Sequence, residues 1–599
     1  MDDGKSNSIY ELLRARAEHS PDTVAISAPG RSNLSYRGLL NQVDGVATSL
    51  SVRGVHHNDR VAIVLPNGPE MAVTFLGVAA GATCAPLNPA YSKSEFEFYL
   101  SDLDPKALIV QSGMDSAAIA VAEARGIPII ELVPKRESAA GIFALSDNQQ
   151  PPTSAFSFSQ ADSIALILHT SGTTSRPKMV PLTQANLITS AGNIAAALRL
   201  SDADRCLNVM PLFHIHGLVG ALLSSVMAGA GVICASGFDS EQFFPWIEAF
   251  RPTWYTAVPT IHHAVLARAQ AEPTALKNHS LRFIRSSSAA LPARVMQGLE
   301  KTFKVPVIES YGMTEAAHQM ASNPLPPAQR KASSVGPAAG PEVSIMDGAG
   351  KLLSAGEIGE IVIRGANVMR GYENNSDANA AAFTKGWFRT GDLGYLDADG
   401  YLFITGRLKE IINRGGEKIS PREVDEMILQ HPAVAEAISF AMPHETLGED
   451  LAAAIVTREK TQITEAAIRA YLSSRLAAYK IPSRIFFVDE IPKGATGKTQ
   501  RIGLAEKFAD QFKGPLITLG NELEAAVAQI YVEVLGVEKV GVTDNFFALG
   551  GDSLRATQVL ARIRARLDVN LSIATIFWHS TVTELAHEIL AAIAARDDD

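Results

Sequence analysis

Two short stretches carry most of the chemistry in this 599-residue sequence. His169-Thr170-Ser171-Gly172-Thr173-Thr174-Ser175-Arg176-Pro177-Lys178 comes directly after an apolar run at 164–168. Hydroxyls and glycine beyond a strand present N–H and O–H donors in a concave turn, and Lys178 adds a positive charge, which is what a polyphosphate needs. Taken alone, the same stretch also reads as a solvated Ser/Thr loop. Further on, Gly550-Gly551-Asp552-Ser553-Leu554 sets a serine at a helix start. A serine there is open to a modifying enzyme and tolerates a new phosphodiester charge, although a plain N-cap has the same local form.

Three other patterns break on inspection. Gly497-Lys498-Thr499 lacks the earlier glycine of a Walker loop, because Pro492 stands in its place. Gly551-Asp552-Ser553-Leu554 ends in Arg555 where a hydrolase nucleophile elbow needs glycine. His214-Ile215-His216 and His262-His263 have no cysteine or carboxylate at ligand spacing, so no metal site is expected from them.

The elements that must position these residues alternate. Short apolar runs at 60–65 and 164–169 read as strands, and 70–80 and 183–200 read as helices, the texture of a layered α/β protein. The uncharged stretch 217–238 holds several Gly and Ser and reads as a buried helix and strand, not a membrane span. From 332 to 365 short strands separated by Gly turns suggest a β subdomain, with further turn signals at Asp347-Gly348 and Asp399-Gly400. Ser420-Pro421-Arg422-Glu423 is a helix start, with Ser as N-cap, Pro first and Glu third. Residues 505–519 read as a linker. Three helices are expected beyond it, at 521–535, 553–567 and 581–594, the last capped by Thr581 with Glu584.

Composition narrows the function. With 53 Lys and Arg against 63 Asp and Glu, the net charge of -10 gives no general pull toward nucleic acid or anionic lipid. Neither kind of partner is expected. Three scattered cysteines and an acidic start without an apolar core fit a reducing cytoplasmic setting.

The phosphate-type loop is followed in order by Ser310-Tyr311-Gly312-Met313-Thr314-Glu315, Arg389-Thr390-Gly391-Asp392, Gly406-Arg407-Leu408-Lys409-Glu410 and Pro492-Lys493-Gly494-Ala495-Thr496-Gly497-Lys498. Together these resemble the adenylate-forming superfamily of acyl-CoA synthetases, luciferases and nonribosomal peptide synthetase adenylation domains. Two departures stand in the loop, Ser175 and Met179, where the family usually has glycine. Asp544-Asn545-Phe546-Phe547-Ala548-Leu549-Gly550-Gly551-Asp552-Ser553-Leu554 resembles the carrier-protein signature, whose serine takes a covalent 4′-phosphopantetheine arm. The resemblance implies a large multi-layer α/β N-terminal adenylation domain with a β subdomain (1–405). A small mobile α+β C-terminal subdomain would follow (406–505, hinge 406–410), then a linker (506–519) and an all-α helical-bundle carrier domain (520–599).

By the same resemblance Thr170, Ser171, Gly172, Thr173, Thr174 and Lys178 would hold the ATP phosphates. Thr314 would contact the α-phosphate, Glu315 would bind Mg²⁺, Tyr311 would lie against adenine, and Asp392 with Arg407 would meet the ribose. Lys498 would be catalytic, at the bridging oxygen between carboxylate and phosphate. Lys409 stands at the hinge, and Gly415 and Gly416 would line the thiol tunnel. Phe213 is followed by His214 instead of the Asp that pairs with an amino-acid ammonium, so an ordinary α-amino acid is disfavoured.

Several segments look especially similar to oxalate-CoA ligases, in which His214, Ser288 and His318 would surround a very small, doubly charged acid. In a competing reading His214 gates the thiol tunnel and His318 packs near the metal. The expected activity is ATP-dependent adenylation of a small carboxylic acid and its transfer to the chain's own arm. A phosphopantetheinyl transferase would install that arm, and a downstream enzyme would accept the acyl group in trans. The alternative is a ligase that uses free CoA, with the carrier accessory.

Overall fold

A computed structural model describes residues 6–597 apart from 147–157, 171–176, 272–278, 445–446, 459–460, 462, 494–500, 502, 509–521, 543, 548, 552, 573–574 and 577–578. Two compact units divide the described chain, one up to Ile404 and one from Thr405.

In the first unit, apolar runs become buried strands and the helices between them cover the sheets. A seven-stranded sheet ends in Ile164–Thr170 and its antiparallel edge neighbour Lys178–Thr183. The strand at 60–65 is Arg60–Val64, and the helix at 70–80 is Pro69–Gly81. The helix read at 183–200 is also present. Lys178–Thr183 is an unforeseen strand, and the helix Gln184–Ala197 starts at Thr183, whose hydroxyl accepts from the backbone N–H of Asn186.

An eight-stranded sheet runs in the order His318–Ser322, Val307–Met313, Phe283–Ser286, Trp254–Ala257, Arg205–Asn208, Gly231–Cys234, Val24–Ser27 and Leu34–Ser35. The uncharged 217–238 stretch folds as the expected buried helix and strand. Its first part, His216–Leu223, is wound as a π-helix before Ser224–Met227 continues as α. Such widened turns concentrate at functional sites. The β subdomain is a five-stranded sheet built on Glu342–Met346, Gly359–Arg364 and Trp387–Leu396. Its turns are tied by Asp347 Oδ1, which accepts from Ala349 and Lys351, and by Asp397 Oδ1, which accepts from Asp399 and Tyr401.

In the second unit, helix Pro421–Leu429 packs on a five-stranded sheet. The expected side-chain cap is absent here. The Ser420 hydroxyl donates instead to the Thr405 carbonyl at 2.6 Å, and Glu423 receives Lys480 at 2.7 Å. A tertiary acceptor has outcompeted the helix's own first turn.

Helices Glu522–Leu535, Ser553–Leu567 and Val582–Asp597 enclose a separate apolar core of Val527, Ile530, Tyr531, Phe546, Val559, Ile563, Leu585 and Ile589. The third helix carries the expected box: Glu584 N–H donates to Thr581 Oγ1 at 3.2 Å, and Thr581 N–H to Glu584 at 3.1 Å. Among the described residues no helix is long and apolar enough to cross a membrane.

Candidate active site

One hairpin organises the first unit's site. Strand Val307–Met313 carries Tyr311, a short 3₁₀ turn at Thr314–Ala316 carries Thr314 and Glu315, and the returning strand opens with His318. Gly312 permits the tight return, since a Cβ there would sit 1.8 Å from the His318 carbonyl oxygen. The turn is pinned by buried Asn367, whose amide donates to the carbonyls of Ala316 (2.8 Å) and Gln319 (3.0 Å).

On one side of this hairpin, Tyr311 Oη donates to Asp392 Oδ2 at 2.5 Å. Asp392 is turned inward by a bulge in which Thr390, Gly391 and Asp392 oppose Ile361 alone. Thr390 Oγ1 donates to the Ile361 carbonyl at 2.7 Å, and buried Glu360 accepts from Gly391 N–H at 2.9 Å. Bulges re-aim side chains in this way.

Glu315 is buried and accepts from Tyr372 Oη at 2.9 Å, while Lys178 Nζ lies 4.5 Å from the centre of the same tyrosine ring. Burial, with Glu315 beside it, pushes the Tyr372 hydroxyl well above its usual range, so it stays a donor. Tyr372 therefore joins the loop lysine to the hairpin carboxylate, a link 57 residues long that no local pattern announced. Thr170 pairs with Lys178 across the strand edge, and His169 Nε2 meets Asp102 at 2.9 Å. Burial holds the His169 imidazole below its ordinary pKa.

Glu315 suits Mg²⁺ as a hard oxygen donor. Mg²⁺ typically takes one or two carboxylates and completes its shell with substrate phosphates. Among the described residues no group of three or more His, Cys, Asp or Glu forms a metal cage, so the residues fit an ion that arrives with a nucleotide.

The other side of the hairpin is buried and mostly neutral. His216 is the hub, with Nδ1 3.1 Å from Ser288 Oγ, Nε2 2.6 Å from Thr256 Oγ1, and its ring 5.1 Å from that of His318. Ser288 and His318 are thus brought together through His216, which the sequence reading had considered only as half of a failed metal pair. His214 stands two residues earlier, its ring against Phe213. Ser288 has φ +74° and His318 φ +103°, backbone conformations that favour glycine. Strain of this kind collects at functional sites. Arg285, unnoticed in the sequence, is fully buried behind His318. Its signal was a single cation inside the apolar strand Phe283–Ser286.

In the second unit, Lys409 lies in the 3₁₀ turn Leu408–Glu410, just after Arg407. Glu410 is held by Arg501 at 3.0 Å. Gly415 (φ +60°) and Gly416 (φ +99°) form the two-residue turn between Ile412–Arg414 and Glu417–Ile419, where both positions need left-handed backbone. Ser553 is the first residue of a 15-residue helix. The approach to it is fixed: Gly551 N–H donates to the Phe546 carbonyl at 2.9 Å, and Arg555 reaches back to the Gly550 carbonyl at 2.7 Å. A serine at such a helix start fits a phosphodiester. The side chain of Ser553, and Ser171, Gly172, Thr173, Thr174 and Lys498, lie outside the described residues.

Comparisons with known proteins agree with this geometry. Residues 13–373 match the AMP-binding enzyme family, 423–498 the AMP-binding enzyme C-terminal domain, and 525–589 the phosphopantetheine attachment site. An oxalate--CoA ligase of Arabidopsis thaliana is 44% identical over 84% of this chain and 99% of its own. A sulfoacetate--CoA ligase of Cupriavidus necator is 35% identical over 83% of this chain and 97% of its own. The O-succinylbenzoate coenzyme A synthetase of Bacillus subtilis, solved with ATP and magnesium ion, superposes with a TM-score of 0.71 at 30% identity, covering 82% of this chain and 98% of that one. Matches that run nearly the full length of these ligases, on a site built of the same ordered motifs, settle the family: the chain belongs to the AMP-binding, adenylate-forming acid–thiol ligases, which activate a carboxylic acid with ATP, and it carries a phosphopantetheine attachment domain.

Proposed function

We propose that the chain adenylates a small, doubly charged carboxylic acid and transfers it to the thiol of an arm carried on its own Ser553. The observation that carries this reading is the attachment domain in the same chain as the ligase. A tethered acceptor reaches an effective concentration on the order of mM with a suitable linker. The small-acid part is supported by the His216, Ser288 and His318 cluster and by the likeness to oxalate and sulfoacetate ligases.

In the first step a carboxylate oxygen attacks the α-phosphorus of ATP and pyrophosphate leaves. Charge spreads over phosphate oxygens, so catalysis is mostly positioning and electrostatic clamping. In this reading the loop from Thr170 to Thr174 and Lys178 orient the β- and γ-phosphates. Tyr311 lies against adenine, while Asp392 accepts from the ribose hydroxyls and Arg407 stands close by as a donor. Thr314 donates to the α-phosphate, and Lys498 stabilises the oxygen that becomes the acyl-phosphate bridge. Glu315 would hold Mg²⁺, which neutralises phosphate charge when bound. The second step follows a swivel about Lys409, after which Gly415 and Gly416 line the thiol's approach. The pantetheine arm supplies the nucleophilic sulfur, and AMP leaves.

A Ser553→Ala variant tests the acceptor. Loss of covalent loading with intact acid-dependent ATP–pyrophosphate exchange supports the reading. Acyl-CoA formation from free CoA at an undiminished rate, in wild type and variant alike, favours the CoA-ligase alternative instead.

A further inference from the structure

We propose that Arg285 is a specificity-determining positioning residue that biases the acid site toward dianions, acting through His318. The proposal rests on the small-acid reading above. Arg285 has no exposed surface, and among the described residues no carboxylate pairs with it. Its Nη2 donates to His318 Nδ1 at 3.4 Å and to Gln319 Oε1 at 3.2 Å, whereas Nε and Nη1 have no hydrogen-bond partner. Gln319 is held oxygen-inward because its Nε2 donates to the Ala339 carbonyl at 3.0 Å.

Two consequences follow from donor chemistry. A guanidinium has only donors, so His318 Nδ1 must accept, which leaves the ring neutral with its proton on Nε2. His318 is thereby fixed as an Nε2–H donor. Second, a buried cation without a counter-ion is costly, and an anion nearby offsets that cost. The field of Arg285 reaches the bound acid through His318, and a second negative charge on that acid gains from it more than a single one. His216, 5.1 Å ring to ring from His318, meets the neutral hydroxyls of Ser288 and Thr256. The left-handed backbone at Ser288 and His318 fits a site shaped for recognition.

The test compares oxalate with glycolate, two acids of similar size and different charge, by acid-dependent ATP–pyrophosphate exchange. Arg285→Gln keeps a donor for His318 and removes the charge. The expected result is a fall of at least tenfold in kcat/KM for oxalate relative to glycolate, with KM for MgATP within twofold of wild type. A variant that keeps the wild-type preference overturns the proposal, as does one in which both acids and MgATP weaken together. Should Arg285→Gln fail to fold, Arg285→Lys takes its place and is expected to retain the oxalate preference. Nitrogen-15 spectra of histidine-labelled wild-type protein, with His318 assigned by His318→Gln, add a second readout: an unprotonated Nδ1 is expected, and a protonated one overturns the proposal. A wild type that activates only monoanionic or zwitterionic acids contradicts the substrate reading itself, which separates that failure from a failure of Arg285 alone.

Discussion

The two sides of the Val307–Ser322 hairpin handle charge in opposite ways. On the side proposed for the nucleotide, Asp392 is met by the Tyr311 hydroxyl, Glu315 by the Tyr372 hydroxyl, and Lys178 by the Tyr372 ring, so tyrosines temper charges of both signs. On the acid side a fully buried Arg285 faces two neutral acceptors, His318 and Gln319. In the proposed function the difference fits what each side receives. A nucleotide with its magnesium would bring charges of both signs to a wall that holds both, whereas an acid would bring only negative charge to a wall whose one charge is a buried cation.

The comparison breaks most visibly at Lys498, the lysine proposed to be catalytic. Lys498→Ala is expected to lower acid-dependent ATP–pyrophosphate exchange by about 10²- to 10³-fold, the usual result of deleting one transition-state donor, with thermal unfolding unchanged. Stability against pH probes the buried core on the opposite face of the hairpin's sheet next. His262, on helix Pro259–Ala271, is fully buried beside Tyr255, and burial pulls its imidazole down to about 4. Its folded pKa lies below its unfolded value, so the unfolded chain takes up the proton first. Stability is therefore fully present above about pH 6.5 and declines by about 3 kcal/mol as pH falls toward 4. Chemical denaturation of wild type and His262→Gln across that window checks it, the variant showing the flatter profile.

Asp392→Asn sharpens the nucleotide side. It is expected to raise KM for MgATP about 10- to 100-fold, in line with hydrogen bonds to a charged group, and to leave KM for the acid unchanged. Tyr372→Phe is the mildest change. It removes one donor to Glu315 and keeps the ring under Lys178, for an expected rise of about three- to tenfold in the Mg²⁺ or MgATP requirement.

How far the sequence reached follows the same division. Tyr311, Thr314, Glu315 and Asp392 were singled out through the resemblance of contiguous motifs, and the fold brings Tyr311 and Asp392 together. Ser288 was singled out as a pocket residue, but its left-handed backbone, φ +74°, carried no local signal. Tyr372 was missed because its partners lie 57 and 194 residues away in sequence. Arg285 was missed because one cation in an apolar strand gives no periodic signal. The strand Lys178–Thr183 was hidden by Pro181, which reads as a breaker until the fold places it on a sheet edge, paired on one side with Ile164–Thr170. Ser420 had the right type for a cap, but only the fold could show that its hydroxyl prefers Thr405.

Intact mass of the phosphopantetheinylated protein, after incubation with MgATP and oxalate, malonate, aryl acids or amino acids, tests the central claim most directly. Self-loading of a small dianionic acid predicts a mass gain with oxalate or a near relative that disappears in Ser553→Ala. Acylation of added CoA in the same tubes, with no mass gain on the protein from any acid, would contradict it.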